Sequence, residues 1–321
     1  MVGVILAAGK GTRLAGLPTR LPKAVLPVLN LPIAYTHLIA MAELGIEKAY
    51  VVVGHRGFEV VREIERQPPT GVEVVYVDQE QTLGLAHSVG RLEAHIQQPF
   101  LLFLGDIYFR APRLGEMKDL YNAGGTDAVL GARQEPDFDE LCKNFVILND
   151  ENGRAVRVIE KPRHPPTRLK GVGVYLFSPV VFDAIRRTPR TAMRDEYEIT
   201  ESIQIMIDDG HCVRALECID EDLNVTFPKD LLDINLHLLA QEGGQRRIAS
   251  GARVAATAAV ERAIVGTGAE IGENAVVRDS VVFAGGVVPA GVSIRGALVT
   301  EQAIFPVRPG AADEKSGAGE A

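Results

Sequence analysis

The sequence predicts an α/β fold with a Rossmann-like, mainly parallel mixed sheet, followed by a short C-terminal left-handed β-helix. Apolar runs of strand length, such as "VGVIL" and "KAYVVVG", recur along the 321-residue chain, and stretches with helical spacing separate them. Strands that alternate with helices indicate a parallel sheet covered on both faces. An apolar step of six residues near the end of the chain indicates the β-helix.

The first domain is predicted to span residues 1–243. Its strands are expected in "VGVIL", "KAYVVVG", "VEVVYV", "FLLFLGD" and "DAVLGAR", and helices in "LPIAYTHLIAMAELG" and "GFEVVREIERQ". The runs "RAVRVIEKP", "KGVGVYLFSP" and "CVRALEC" add strands with some antiparallel pairing, around a helix in "ITESIQIMIDDG". The segment "DLLDINLHLLAQEG" is expected to be the closing helix.

The second domain is predicted at residues 244–306, where apolar residues stand six apart at Val265, Ile271, Val277 and Phe283. One coil of a β-helix takes about three such steps, so the segment gives two or three coils. The alternative is an irregular antiparallel extension rich in glycine and valine.

The short β-helix is expected to have a structural role. The segment has too few coils to build a long β-helix, and no histidine follows His237 in the chain. The coils would leave apolar faces and an open end, so we expect them to join subunits of a homo-oligomer. The polar, small-residue tail at 307–321 is predicted to be disordered.

Composition excludes several classes of function. The net charge is −8 and no basic run appears, which argues against nucleic-acid binding. There is no apolar run long enough to span a membrane and no basic leader typical of a signal peptide. Cys142, Cys212 and Cys218 lack metal-ligand spacing and indicate reduced, mostly buried thiols in a cytoplasmic protein. The scattered histidines do not form a metal-binding pattern.

The segment "LAAGKGTRLAGLPTRLPKAVLPV", residues 6–28, carries the main chemical signal. It is not a P-loop, because no glycine stands five places before Gly9, and it fails the dinucleotide fingerprint at Leu14. Glycines after a strand still let backbone amides approach a phosphate, and Arg13 and Lys23 add positive charge. The alternative is an ordinary strand-to-helix turn.

Other candidate residues follow strands or lie in loops. Asp106 ends "FLLFLGD" at the sheet edge where ligands bind, and one or two carboxylates suffice for Mg²⁺. "VIEKP" places Glu160 and Lys161 after a strand, and "DQEQTLGLAHSVG" places an amide near a glycine. Arg194 opens "RDEYEITE". Taken singly, each of these is equally compatible with a turn, a helix cap or a solvated loop.

Together and in this order, the motifs resemble those of the sugar-1-phosphate nucleotidyltransferases, most closely the glucose-1-phosphate thymidylyltransferases and uridylyltransferases. The resemblance covers roughly residues 2–235, and its signature is L-A-A-G-x-G-T-R-L followed by P-K. It implies the nucleotidyltransferase fold and Mg²⁺-dependent transfer of a nucleotidyl group from dTTP or UTP to a sugar 1-phosphate. Glucose 1-phosphate is the expected acceptor, and pyrophosphate leaves.

The resemblance also implies roles for individual residues. The nucleotide-binding residues would be Leu6, Ala7, Ala8, Gly9, Gly11, Thr12, Gln79 and Gly84. The sugar phosphate would be bound by Glu160, Lys161, Gly173 and Arg194. Arg13, Lys23 and Lys161 would be the catalytic cations, and Asp106 and Asn224 the Mg²⁺ ligands.

The chain departs from the family at two places. Asn224 stands where relatives usually have aspartate. Asn144 and Phe145 replace a frequent Tyr-Gly pair near the sugar, so the identity of the sugar does not follow from the resemblance. Two other functions remain as alternatives. A non-catalytic regulatory homologue should lack cations such as Lys23, and a cytidylyltransferase for a phosphorylated alcohol does not need Glu160.

Overall fold

The computed structural model describes residues 1–9, 11, 14, 16–81, 83–191 and 195–307. By its packing, the chain divides into two compact units. The first unit comprises Met1–Lys10 and Ala34–Leu223, and the second comprises Gly11–Ile33 and Asn224–Ala321. The segment that follows the first strand is therefore grouped with the C-terminal part of the chain. The predicted domain boundary at residue 243 follows chain order and stays a prediction.

Strands and helices alternate up to residue 241. The strands of this part are β1 (Val2–Leu6), β2 (Pro27–Val28), β3 (Leu31–Pro32), β4 (Lys48–Val53), β5 (Glu73–Asp78), β6 (Phe100–Leu104), β7 (Ile107–Arg110), β8 (Ala128–Gln134), β9 (Phe145–Asn149), β10 (Ala155–Glu160), β11 (Leu169–Phe177), β12 (Val213–Glu217) and β13 (Glu221–Asn224). The helices are α1 (Ile33–Glu43), α2 (Gly57–Glu65), α3 (Leu85–Gly90), α4 (Gly115–Asn122), α5 (Phe138–Lys143), α6 (Val181–Arg187), α7 (Ile199–Asp208) and α8 (Pro228–Gln241).

The first unit is built on a mixed sheet with the strand order β10-β9-β11-β6-β1-β4-β5, to which β8 and β12 add beside β11. Strand β1 pairs in parallel with β4 and β6, and β4 pairs in parallel with β5. Strand β11 runs antiparallel to β6, β8 and β9. Strands β1 and β11 are buried along their whole length, as expected for strands covered on both faces. The predicted mixed α/β sheet is confirmed.

Strands β7 and β13 form a separate two-stranded sheet. The Arg110 guanidinium, at the end of β7, lies 2.9 Å from the Glu221 carboxylate and 3.2 Å from that of Asp220. The end of β7 therefore lies beside the start of β13, and the two strands run antiparallel.

The second unit contains α8 and a parallel β-helix. Its strands are β14 (Arg246–Ile248), β15 (Arg253–Val254), β16 (Ala259–Glu261), β17 (Ala263–Val265), β18 (Glu270–Ile271), β19 (Val276–Arg278), β20 (Val281–Val282), β21 (Val287–Val288), β22 (Ser293–Arg295), β23 (Ala297–Val299) and β24 (Ile304–Pro306). Three stacks, β14-β17-β20-β23, β15-β18-β21 and β16-β19-β22, form its faces through parallel pairing. The predicted β-helix is confirmed.

The prediction of a uniform six-residue step was wrong at one corner of each coil. Val265 is in register with Val282, and Val282 with Val299, so that each coil takes 17 residues. The side-chain bond from Arg278 to Glu261 joins two residues with the same separation. One corner is therefore a residue shorter than the others, and Val282, not Phe283, continues the stack.

The end of the β-helix is less open than predicted. Strand β24 folds back antiparallel on β23 and covers the edge of the last strand in that stack. The predicted disordered tail lies outside the described residues apart from Val307.

The thiols are free, but only one is buried. Cys218 is fully buried, which raises its pKa to about 12, with smaller and partly opposing effects from Arg113 and Glu116. Cys142, on the short helix α5, and Cys212, in the turn before β12, are partly exposed, so the expectation of mostly buried cysteines was wrong. Within the described residues, we find no helix with the length and apolar character needed to cross a membrane.

Candidate active site

The loops that follow three parallel strands of the first unit are bonded together at one edge of the sheet. The amide of Ala7, after β1, donates to a carbonyl of β4 over 2.8 Å, and that of Gly105, after β6, donates to the Leu6 carbonyl over 3.0 Å. The amide of Gln79, after β5, also donates to a β4 carbonyl over 2.8 Å. This carboxyl edge is where open α/β sheets bind their ligands.

The turn after β1 carries almost no side chain. Leu6, Ala7 and Ala8 are buried, while Gly9 is exposed, and a β-carbon on it would meet no atom of the described residues within 4 Å. Gly54, after β4, packs so closely that a β-carbon there would lie 3.0 Å from the β-carbon of Ala8. The small residues allow these two turns to approach each other and leave the backbone at Gly9 accessible to a ligand.

The Gln79 side chain is buried without a hydrogen-bond partner. Only 2% of the residue is exposed, and neither its amide nitrogen nor its amide oxygen has a partner within the described part of the chain. Leaving such a group unpaired costs about 1–3 kcal/mol. A native protein that keeps one calls for an explanation, and a ligand that supplies the missing bonds is one.

Gly84, the residue directly before α3, is packed tightly against the backbone of Tyr197. Its φ is 111°, and a β-carbon there would lie 2.5 Å from the Tyr197 carbonyl oxygen. Tyr197 donates to the Leu83 carbonyl over 2.8 Å and accepts from the amide of Ala86 over 2.9 Å. Only glycine fits this conformation and space, so the loop after Gln79 is fixed to the segment that precedes α7.

Glu160 and Lys161 form a corner at the end of β10. The Lys161 ammonium lies 3.2 Å from one Glu160 carboxylate oxygen, and the Thr200 hydroxyl donates to the other over 3.3 Å. Lys161 has a φ of 45°, which strains a residue with a side chain, and its amide donates to the Asn144 carbonyl over 3.0 Å. A carboxylate and an ammonium side by side suit a ligand with both hydroxyls and a phosphate.

Strand register places this corner at the same edge of the sheet as the other loops. Glu160 pairs with Phe145, which pairs with Gly171 at the start of β11. Strand β11 then continues from Gly173, with a φ of 79° at an irregularity, to run antiparallel along β6. A β-carbon on Gly173 would lie 2.7 Å from the Leu104 side chain, next to the Asp106 turn.

Asp106 lies in the turn between β6 and β7, and the imidazole of His37 is buried beside this turn. The His37 ring stacks on Phe103 with centroids 4.8 Å apart and contacts Phe109 at 5.5 Å. Burial lowers the pKa of His37 to about 4, although the backbone at Leu104 and Ile107 and the charge of Asp106 oppose this. His37 is therefore neutral at neutral pH.

The second unit contains the other end of the glycine-rich signature. Lys23 begins a single 3₁₀ turn, Lys23–Val25, directly after Pro22. Gly11 has a φ of 58°, and a β-carbon there would lie 3.0 Å from Cγ of Lys23. Gly11 thus leaves space for the stem of the lysine. Asn224 is the exposed last residue of β13.

The predicted site residues Thr12, Arg13 and Arg194 lie outside the described residues. Several other predicted site residues belong to the first unit. Strand register and backbone hydrogen bonds bring these together at one sheet edge: the turn at residues 6–9, Gln79, Asp106, Gly173 and the corner at residues 160–161. Gly84 follows Gln79 in the same loop.

The predicted Mg²⁺ ligands fit a metal held largely by its substrate. Within the described ranges, no three His, Cys, Asp or Glu side chains are grouped so as to hold a metal ion. Mg²⁺ in nucleotide sites needs only one or two carboxylates, because phosphate oxygens and waters complete the octahedron. The carboxylate of Asp106 and the amide oxygen of Asn224 are hard donors of the required kind.

A model of the family described as "Nucleotidyl transferase" matches residues 2–241. The chain belongs to the nucleotidyl transferase family. The resemblance drawn from the glycine-rich signature is thereby confirmed. This nucleotidyl transferase is 35% identical over 230 residues to UTP–glucose-1-phosphate uridylyltransferase AglF of Haloferax volcanii. The aligned region covers 72% of this chain and 93% of AglF.

Two further comparisons agree. A glucose-1-phosphate thymidylyltransferase of Streptomyces antibioticus is 31% identical over 284 residues, covering 83% of this nucleotidyl transferase and 78% of that protein. A UDP-glucose pyrophosphorylase solved with UDP-glucose has a TM-score of 0.67 at 21% identity, and the match covers 75% of this chain and all of that one. This second likeness shows the shared fold.

The sequence alone did not identify three features of the site. Tyr197 acts through its backbone, which no sequence pattern marks. His37 lies in a helix with apolar neighbours and resembles any core histidine. The Phe145 ring contacts Gly171, and only a comparison of both positions with relatives could have suggested that pair.

Proposed function

We propose that this enzyme transfers a uridylyl or thymidylyl group from UTP or dTTP to a sugar 1-phosphate, with glucose 1-phosphate as acceptor. The observation that carries the proposal is the buried amide of Gln79 at the carboxyl edge of the sheet, which has no hydrogen-bond partner among the described residues. A primary amide offers donors and an acceptor side by side. Uracil and thymine present a matching edge, an imide N–H next to a carbonyl.

The names of two relatives support the choice of base and sugar. AglF is named for UTP and glucose 1-phosphate, and the Streptomyces antibioticus protein for glucose 1-phosphate and thymidylyl transfer. A modified hexose phosphate is the second candidate acceptor. Phe145, where this chain departs from the family pattern, is the register partner of Glu160, the proposed ligand of the sugar hydroxyls.

The reaction needs charge placement more than a proton acceptor. An oxygen of the sugar phosphate, already an anion, attacks the α-phosphorus, and the bond to pyrophosphate breaks on the opposite side. The obstacle is repulsion between two polyanions, so positioning and preorganised positive charge supply the catalysis. In our proposal Lys23 stabilises the transferred phosphoryl group, Lys161 binds the sugar phosphate and Glu160 accepts bonds from sugar hydroxyls.

The metal's role in the proposal is limited to charge neutralisation. Bound Mg²⁺ would neutralise triphosphate charge. Asp106 and Asn224 would hold it, as the family resemblance implies. Thr12, Arg13 and Arg194 keep the roles that the family resemblance implies.

Two substitutions test these roles. Lys23→Ala should lower kcat by about 10²–10³-fold, as loss of a preorganised charge does elsewhere, and Asp106→Asn should abolish Mg²⁺-dependent turnover. Lys143→Ala is the control, because that lysine is exposed and pairs with Glu140 of the same helix. An effect of Lys23→Ala on KM alone would show that the lysine binds ground-state phosphate. Near-normal rates for Asp106→Asn at millimolar Mg²⁺ would remove Asp106 from the metal site.

We also propose that the enzyme is a cytoplasmic homo-oligomer assembled through its β-helix. Ile248 and Val287 are 39% and 49% exposed on its strands and offer apolar surface to a second copy of the chain. Light scattering of the full chain tests this proposal, and a monomeric mass would refute it.

A further inference from the structure

The segment that carries Lys23 ends in a strained hairpin. Strands β2 and β3 pair antiparallel, and the two residues of the connecting turn, Leu29 and Asn30, have φ values of 49° and 70°. Leucine is seldom found in this left-handed region, because its β-carbon crowds the backbone. Such a turn persists only where surrounding contacts fix it. We call residues 18–30 the lysine segment, and its contacts indicate what holds it in place.

Asn235 of α8 supplies the first set of these contacts. The residue is fully buried. Its amide oxygen accepts from the amide of Leu29 over 2.8 Å, and its amide nitrogen donates to the Pro27 carbonyl over 3.0 Å. The same nitrogen also donates to the Leu231 carbonyl over 2.9 Å within the helix. One side chain thus satisfies two backbone groups of the hairpin and ties it to α8.

The β-helix supplies the second set. The side-chain amide of Asn30 donates to the Val265 carbonyl, at the end of β17, over 3.0 Å. The hydroxyl of Thr300, in the turn between β23 and β24, donates to the Pro18 carbonyl over 2.6 Å. Pro18 precedes Lys23 in the chain and Asn30 follows it. The β-helix therefore bonds to the lysine segment on both sides of the lysine.

We propose that the β-helix and α8 form a template that positions Lys23 for nucleotidyl transfer, with Asn30, Asn235 and Thr300 as positioning residues. This inference rests on the proposed function, because it takes Lys23 as a catalytic cation. It extends the role of the β-helix beyond subunit assembly. A displacement of about 1 Å in a catalytic group can cost up to about 100-fold in rate, so bonds far from the reacting atoms can control turnover.

The test uses the full chain with Asn30→Gly, Thr300→Val and the double variant. Glycine accepts the left-handed φ of residue 30 and removes only the side-chain amide. Valine removes the hydroxyl of residue 300 and keeps its branched shape. Thr257→Val is the matched control, because the Thr257 hydroxyl accepts a bond from the Asn274 amide inside the β-helix.

We expect the double variant to lower kcat by about 10- to 100-fold, with KM for the nucleoside triphosphate changed less than about twofold. Amide hydrogen exchange in a peptide covering residues 16–32 should accelerate in both single variants and more in the double variant. Thr257→Val should match the wild type in both measurements. Faster exchange with a lowered kcat supports the template.

Two results would overturn the inference. Unchanged exchange across residues 16–32 in the double variant would show that these bonds do not hold the segment. Faster exchange with a wild-type kcat would show that the position of the segment does not affect turnover. The failure of the proposed function looks different: the wild-type enzyme would release no pyrophosphate, while the exchange results would still decide whether the template exists.

Discussion

The ring of Phe145 fills the space that a side chain on residue 171 would need. A β-carbon on Gly171 would lie 1.9 Å from Cζ of Phe145, and the two residues are register partners in β9 and β11. Phe145 also stacks on Tyr175 with ring centroids 6.1 Å apart. The bulky residue near the candidate sugar site is thus matched by a missing side chain on the next strand.

This relationship predicts a strong coupling in stability. Gly171→Ala should destabilise the protein by about 1–3 kcal/mol through overpacking, and Phe145→Ala by about 3–5 kcal/mol through the cavity it leaves. In the double variant the new methyl group enters that cavity, so the loss should be smaller than the sum of the two. Urea unfolding of all four proteins measures the coupling. Additive losses would mean that the ring moves away from residue 171 without cost.

Gln79→Leu should separate stability from nucleotide binding. Replacing a buried, unpaired amide by an apolar side chain of similar size should leave the melting temperature unchanged or raise it. The stabilisation that UTP or dTTP gives to the wild type, about 2.7 kcal/mol at one hundred times Kd, should disappear. Gln67→Leu, at an exposed position, is the control and should keep the ligand-induced shift. A normal shift in Gln79→Leu would show that Gln79 does not contact the base.

His37 should make the stability of the enzyme depend on pH in the acid range. Burial lowers its pKa from 6.5 to about 4, so between these values the unfolded chain binds a proton that the folded chain does not. The stability that neutral His37 provides is complete above pH 6.5 and decreases as the pH falls toward 4. The loss amounts to about 3 kcal/mol.

The experiment compares the free energy of unfolding of the wild type and His37→Phe at several pH values from 7 to 4. Phenylalanine keeps a ring between Phe103 and Phe109 and cannot bind a proton. Between pH 7 and pH 4, the free energy of unfolding should decrease by about 3 kcal/mol less in the variant than in the wild type. Parallel curves would show that His37 is protonated in the folded protein, contrary to its burial.

The buried ion cluster around Lys170 should tolerate paired substitution better than a single one. The Lys170 ammonium lies 2.9 Å from the Asp222 carboxylate and 3.3 Å from that of Glu135, and its side chain is 2% exposed. The Asp222 carboxylate also lies 3.3 Å from the Arg133 guanidinium. Burial raises the pKa of Asp222, and the two cations oppose this.

Lys170→Met leaves a carboxylate buried with less positive charge around it, and should cost about 3–5 kcal/mol. Adding Asp222→Leu should restore more than half of that loss, because it removes a buried carboxylate that has lost the nearer of its two cations. Thermal unfolding of the single and double variants decides the matter. A double variant less stable than Lys170→Met would mean that the ion pair itself stabilises the fold.

The sequence predicted the parallel strands and the position of the loops well, because both depend on local patterns. Buried strands such as β1 and β6 appear as continuous apolar runs, and the rule that ligands bind at the carboxyl edge then places Asp106 and the glycine-rich turn together. Strands β7 and β13 were missed, since each has only four residues and carries charged side chains at its end.

Contacts between residues far apart in the chain could not be predicted. The 17-residue coil was missed because its short corner differs from the other two by a single residue. The bonds of Asn235 and Thr300 to the lysine segment were missed for a different reason: a buried asparagine and a turn threonine carry no sign of their partners. The grouping of residues 11–33 with the C-terminal part depends on such contacts.

Nucleotidyl transfer from UTP or dTTP to glucose 1-phosphate is tested most directly by measuring pyrophosphate release from the 321-residue chain. The panel combines UTP, dTTP, ATP, GTP and CTP with glucose, galactose, mannose and N-acetylglucosamine 1-phosphates, and pairs CTP with phosphocholine. We expect the highest kcat/KM for UTP or dTTP with glucose 1-phosphate, and no release when EDTA removes Mg²⁺. The proposed reaction would be contradicted by release confined to CTP with phosphocholine, by a preference for GTP with mannose 1-phosphate or ATP with glucose 1-phosphate, or by no release from any pair.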